Sequence, residues 1–160
     1  GATAAAFTGD NSSDFTVEFE PSATALEKQG AGFVVASLGV DSGYVPYTSY
    51  SAKTSYMEKN PDIMQKFTNA LQKGMDYVQN HTPEEIAEVI EPQFPETDLD
   101  TVTAIVKRYY DQDTWKSNLI FEKESFELLE EILEDAGELN ERVAYEDLVT
   151  TEYAEKAAEK

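Results

Sequence analysis

Two rhythms of hydrophobic and polar positions divide the chain. Up to about residue 51 the apolar residues come in short bursts among Gly, Ser and β-branched residues; from Asn60 onward they recur every three or four positions. Ala2-Thr3-Ala4-Ala5-Ala6-Phe7 is a helix-prone run stopped by Thr8-Gly9-Asp10, with Gly9 the natural residue just past a helix end. Asn11-Ser12-Ser13-Asp14 is loop chemistry. Phe15-Thr16-Val17-Glu18-Phe19 alternates bulky and polar residues, the period of a half-buried strand. Pro21 opens a helix that runs to Gln29 and is closed by Gly30. Phe33-Val34-Val35-Ala36 reads as a strand buried on both faces. Gly39-Val40-Asp41-Ser42-Gly43 is a flexible turn, and residues 44–51 are strand-like, with Pro46 confining that strand to an edge, an end or a bulge. Strand, helix and strand in close succession predict a βαβ unit and hence a parallel sheet.

The remaining residues predict helices. Asn60 is an N-cap before Pro61, and Ile63, Phe67, Ala70, Leu71 and Val78 keep helical spacing to about Asn80. Thr82-Pro83-Glu84-Glu85 is a capping box that leads Ile86, Val89 and Ile90 up to Pro92. Thr97-Asp98-Leu99-Asp100 opens a third helix with Val102, Ile105, Val106 and Tyr109 on one face. Phe126, Leu129, Leu133 and Ala136 mark a fourth, stopped by Gly137, and a short helix follows Thr151. No repeat of 20–50 residues points to a solenoid.

Charge changes this picture more than size does. The 160 residues suit one domain or one piece of a larger protein, with 41% hydrophobic residues to build a core. Against that stands a net charge of −20, carried unevenly: −4 over residues 1–61 and −16 over the rest. Such a surface excludes a sequence-independent grip on phosphate backbones and disfavours anionic membranes. With no cysteine there is no disulfide, thiolate metal site or thiol nucleophile. No apolar run approaches the ~18 residues of a spanning helix, and no signal peptide is legible. The opening Gly1-Ala2-Thr3, without Met, reads as a tag scar or an internal boundary.

Most candidate motifs reduce to structure. Residues 122–141 hold nine acidic residues, with Glu127, Glu130, Glu131 and Glu134 on the solvated side of an amphipathic helix. His81, the single histidine, stands just past a helix end, where it caps carbonyls; no Gly-x-Ser-x-Gly elbow supplies a nucleophile. Gly30-x-Gly32 lacks the third glycine of a dinucleotide loop. Lys107-Arg108-Tyr109-Tyr110 is core plus rim. The most informative stretch is Phe15–Pro21. There a strand end, an aromatic ring, a carboxylate and a helix N-terminus meet, which is equally a strand feeding a helix and the geometry with which open α/β sheets bind ligands.

The order of these pieces resembles the C-terminal half of the NMT1-like substrate-binding proteins of ABC importers, a group that takes aliphatic sulfonates, taurine, nitrate and thiamine-precursor pyrimidines. The resemblance is carried by Ala5 to Asp14 as a helix end, Phe19-Glu20-Pro21 as the aromatic-Glu-Pro element, and Gly30 to Gly39 as the next strand. It continues through Pro46-Tyr47-Thr48 with Asn60-Pro61-Asp62, Thr82 to Ala87, Tyr110 to Trp115 and Ala136 to Leu139. It implies an α/β, periplasmic-binding-protein-like fold of the two-lobe, class II type, here an incomplete C-terminal portion rich in helices. Residues 1–38 would finish the second lobe, 39–46 would cross the hinge, and 47–160 would return to wrap the first lobe.

The function so implied is extracytoplasmic capture of a small organic solute by cleft closure, with no chemistry performed, no catalytic residue, no metal and no cofactor. Thr16, Phe19 and Glu20 would face the ligand, with Tyr44 and Tyr47 by the hinge. The partners would be the solute, the membrane permease of the importer, and a missing N-terminal portion or a swapped copy of this chain, with no nucleic acid. The protein would sit in the periplasm or on the cell surface as a lipoprotein. An enzymatic branch of the resemblance builds the thiamine pyrimidine with a cysteine-rich iron motif, which this chain lacks. The rival from another class is a helical protein-interaction adaptor that uses residues 62–160. It predicts that Phe19, Glu20 and Tyr47 are dispensable.

Overall fold

A computed structural model describes residues 2–10 and 12–159; Asn11, read above as part of a loop, lies outside them. Helices run in the order α1 (Ala2–Gly9), α2 (Ser22–Lys28), α3 (Leu38–Asp41), α4 (Thr54–Lys59), α5 (Pro61–Asn80), α6 (Pro83–Ile90), α7 (Leu99–Asp111), α8 (Lys123–Asp135), α9 (Tyr145–Leu148) and α10 (Glu152–Ala158), with a 3-10 turn at Glu91–Gln93.

Local chemistry sets most of the boundaries. The Thr82 hydroxyl accepts from the Glu85 N–H at 3.3 Å while the Thr82 N–H donates to the Glu85 carboxylate at 2.9 Å, the reciprocal box that starts α6. The Asp98 carboxylate accepts from the Thr101 N–H at 2.9 Å and starts α7. At the other ends, α2, α7 and α8 close in the same way, with a left-handed residue whose N–H reaches back three residues and a following N–H that reaches back five. These residues are Gly30 (φ 69°), Asp113 (φ 55°) and Gly137 (φ 75°). Only glycine adopts that conformation without strain. Gly137→Ala is therefore expected to lower stability by about 1 kcal/mol, and Asp113→Gly to raise it by about 0.5–1 kcal/mol. Urea unfolding of the two variants, read as opposite shifts of the midpoint, checks the pair.

The chain divides into two compact units, Gly1–Asp41 with His81–Thr114, and Ser42–Asn80 with Trp115–Lys160. In the first, α6 packs on α7 and α7 on α2. Leu26, Ile86, Ala87, Val102 and Val106 form its buried core, with Val102 and Val106 one turn apart on α7. In the second, α10 lies on α5 and buries Ala154 and Ala157. Phe121, Phe126 and Tyr145 meet edge-on with centroids 5.7–6.3 Å apart, and the Tyr145 hydroxyl donates to the Phe121 carbonyl. The first passage between units, at 41/42, falls in the 39–46 segment, while residues 81–114 return to the unit of residues 1–41.

Several expectations are corrected. The described residues contain no β-strand, so neither the βαβ unit nor its parallel sheet is built. Residues 15–19, 33–36 and 44–51 run without regular structure. A strand exists only where a neighbour pairs with its N–H and C=O groups. Here the Val34 N–H is taken by the Glu27 carboxylate at 2.9 Å instead. The side chains that the sheet would bury stand open: Phe33 is 85% exposed and Val35 75%. Residues 39–43 are not a free turn throughout, since α3 occupies Leu38–Asp41 before Gly43 turns the chain at φ 80°. Gly9 is the last residue of α1 and is not left-handed. The Asn60 side chain reaches backward to the Tyr56 carbonyl at 2.9 Å, closing α4.

Two acidic or amide side chains exchange places with apolar ones. Glu130, expected on the solvated side of α8, is buried and accepts the Val143 N–H at 2.7 Å. On α5 the buried residue is Gln72, whose amide donates to the Ser117 carbonyl at 2.9 Å and to Asp76 at 2.8 Å. The first part of that helix's apolar stripe faces outward, with Ile63 52% and Phe67 44% exposed, while Leu71 and Val78 are half-buried. The total accessible surface of 11496 Å² exceeds the roughly 9,600 Å² expected for two separate globules of these sizes.

Candidate functional site

The corner at Phe19-Glu20-Pro21 is built from α2 and α7. Pro21 stands at the start of α2, and the Glu20 carboxylate, just before it, accepts the Thr24 N–H at 3.0 Å, capping the first turn. Its other oxygen receives Nη1 of Arg108 at 2.6 Å, and Nη2 of Arg108 reaches Glu27 at 2.5 Å. Glu20 stands just before α2 and Glu27 near its end, and a single guanidinium on α7 spans both. The second oxygen of Glu27 holds the Val34 N–H. That N–H, with the Arg108 guanidinium, keeps the Glu27 carboxyl below the usual glutamate range. The Glu20 side chain is only 5% exposed. Arg108 thus ties α7, both ends of α2 and the segment after it into one polar network.

Of the residues expected to face a ligand, Thr16, Phe19 and Glu20 lie in the first unit. Thr16 is half-buried and donates to Glu18 at 3.0 Å, Phe19 presents its ring to solvent, and Glu20 is engaged as described. Tyr44 and Tyr47 lie in the second unit, both well exposed. Tyr44 lines a shallow hollow of about 100 Å³ with Val45, Pro46, Phe121 and Lys116. A second hollow, of about 210 Å³, runs between α1 and α2 over Ala4, Ala5, Thr8, Ser22 and Ala25. Both fall short of the ~300 Å³ at which pockets begin to enclose a small organic ligand.

Arg108 is the member of this polar network that the sequence pattern hid. Its local context, Lys107-Arg108-Tyr109-Tyr110, reads as the rim of a helix, and its partners lie 81 and 88 positions away. The available signal is a pair of glutamates, one just before a short helix and one near its end, that share a cation. Among the described residues no group of three or more His, Asp or Glu side chains is placed to hold a metal ion, and no helix is long and apolar enough to cross a membrane.

Comparison with known proteins matches residues 4–86 to the family described as NMT1/THI5 like. That span holds Thr16, Phe19, Glu20, Tyr44 and Tyr47. The chain is also 41% identical over 138 residues to the Bacillus subtilis (strain 168) protein named "Putative binding protein YtlA", a match covering 86% of this chain and 41% of that protein. The chain therefore spans well under half the length of this curated relative. No solved structure gives a significant match.

Proposed function

As the chain belongs to the NMT1/THI5-like family, whose fold is of the periplasmic-binding-protein type, we propose that it is part of a solute-binding protein that captures a small organic molecule without transforming it. The observation that carries the reading is the Phe19-Glu20-Pro21 corner inside the family match. A solvent-facing ring stands beside a carboxylate that the protein's own cation already holds. Such a ring supplies a flat stacking face, and the fixed polar groups around it supply orientation. Ligand contacts are assigned to Thr16, Phe19 and Glu20 and, separately, to Tyr44 and Tyr47. The relative's name, a binding protein, supports the same role.

The finer parts of the reading follow from the resemblance. The protein serves an ABC importer outside the cytoplasm, closes two α/β lobes over its solute and hands it to a membrane permease. A further N-terminal portion supplies the strands that residues 15–19, 33–36 and 44–51 would join. Cluster charge bears on the ligand class. Glu20, Glu27 and Arg108 together carry one net negative charge, which favours a neutral planar heterocycle over a sulfonate at this wall.

Native mass spectrometry of the gently purified chain, alone and with a 4-aminopyrimidine, taurine or nitrate added, tests the reading. A specific adduct is expected, and Phe19→Ala and Tyr47→Ala should each weaken it by about 10–100-fold. A bare chain with no adduct in any condition would overturn it. One observation favours the helical adaptor as a second reading, the uncovered apolar stripe of α5. On that reading both substitutions leave function intact.

A further inference from the structure

We propose that Arg108 is the positioning residue of the Phe19–Glu20 corner, a role that rests on the solute-binding reading and assigns the residue through which the corner is held. Arg108 lies outside the family match, yet both arms of its guanidinium converge there. Its Nη1 fixes Glu20, and Glu20 in turn holds the Thr24 N–H, so the peptide that carries the Phe19 ring is anchored from its C-terminal side. Its Nη2 fixes Glu27, and Glu27 holds the Val34 N–H, so the chain leaving α2 is anchored as well. The guanidinium fork makes both contacts at once, which an ammonium on a flexible stem does not reproduce. Without it, the two carboxylates that share the guanidinium repel each other, and Glu20 gains by turning to water and pulling the corner with it. The Phe19 ring that this corner carries is 64% exposed.

The role separates from ordinary stabilisation because it acts on one ring. In the full chain carrying Phe19→Trp and Trp115→Phe, the indole at position 19 reports the corner alone. Arg108→Gln is expected to lower its fluorescence anisotropy, to raise its quenching by acrylamide about twofold, and to speed hydrogen exchange of the Thr24 amide about tenfold, the loss of one charge-assisted bond. Arg108→Lys, which keeps the charge without the fork, should move all three in the same direction by less. Val102→Ala is the control. It opens the buried α7 contact without touching Arg108 and should lower the melting temperature while leaving the indole signals unchanged. Equal optical changes in Arg108→Gln and Val102→Ala, or none in Arg108→Gln, would overturn the proposal. The solute panel on the parent chain tests the binding reading separately, so a failure there is distinguishable from a failure here.

Discussion

In sedimentation velocity at high micromolar concentration, this 160-residue chain is expected to run as a dimer or larger species, and more so as salt is raised. The driving force is the apolar surface its own fold leaves open. Ile63, Phe67 and Ala70 lie along one stripe of α5, and Tyr50 sets its ring edge-on against Phe67 at 5.2 Å, so the stripe continues onto the 44–51 segment. Opposing it is the net charge of −20, which repels any second copy. Salt shortens the range of that repulsion and leaves burial almost untouched, so association strengthens with ionic strength, the reverse of a salt-bridged interface. Ile63→Gln with Phe67→Gln should return the chain toward monomer. A monomer at every salt concentration would show that the stripe is tolerated in water and would remove the case for a missing covering portion.

The helices were legible because their signals are local. A threonine three residues before a glutamate, an aspartate before an apolar turn and a glycine after one each act within a few residues of where they stand, so Thr82, Asp98, Gly30 and Gly137 behave as read. The strands were not, because their signal is conditional. Phe33-Val34-Val35-Ala36 states that something covers both faces and that neighbours pair with the backbone, and neither condition is met by the described residues. The start of the α5 stripe departs in the same direction, with Ile63 and Phe67 left open among the described residues. Glu130 and Gln72 err the other way, since a carboxylate can enter a core when a backbone N–H meets it there. In the candidate site the helix start after Phe19-Glu20-Pro21 was legible from residue types alone, and the strand before it was not. The corner's clamp was not legible either, because a contact between Arg108 and residues 81 and 88 positions earlier leaves no periodic trace.

That clamp also sets the second large expected effect. Arg108→Ala should cost about 2–3 kcal/mol at neutral pH, less than the 3–5 kcal/mol of a fully buried pair because Arg108 is 27% and Glu27 32% exposed. Most of that cost is the two carboxylates left facing one another, and not the value of the ion pairs themselves. Removing all three charges together, as Arg108→Leu with Glu20→Gln and Glu27→Gln, should therefore lose less than the single substitution, since each glutamine oxygen can still accept from Thr24 or Val34. Acid separates the two variants. In the parent chain the Glu27 carboxyl is held below its ordinary value of 4.5, so the stability it contributes is complete above that value and is lost as pH falls beneath it. In Arg108→Ala the sign reverses, because protonating the Glu27 carboxyl relieves the repulsion the substitution created. The penalty measured by urea unfolding should thus be largest near pH 7 and shrink as pH drops below 4.5. A penalty that stays constant across that range would mean that Arg108 stabilises through the packing of its stem alone, and that the carboxylates never depended on it.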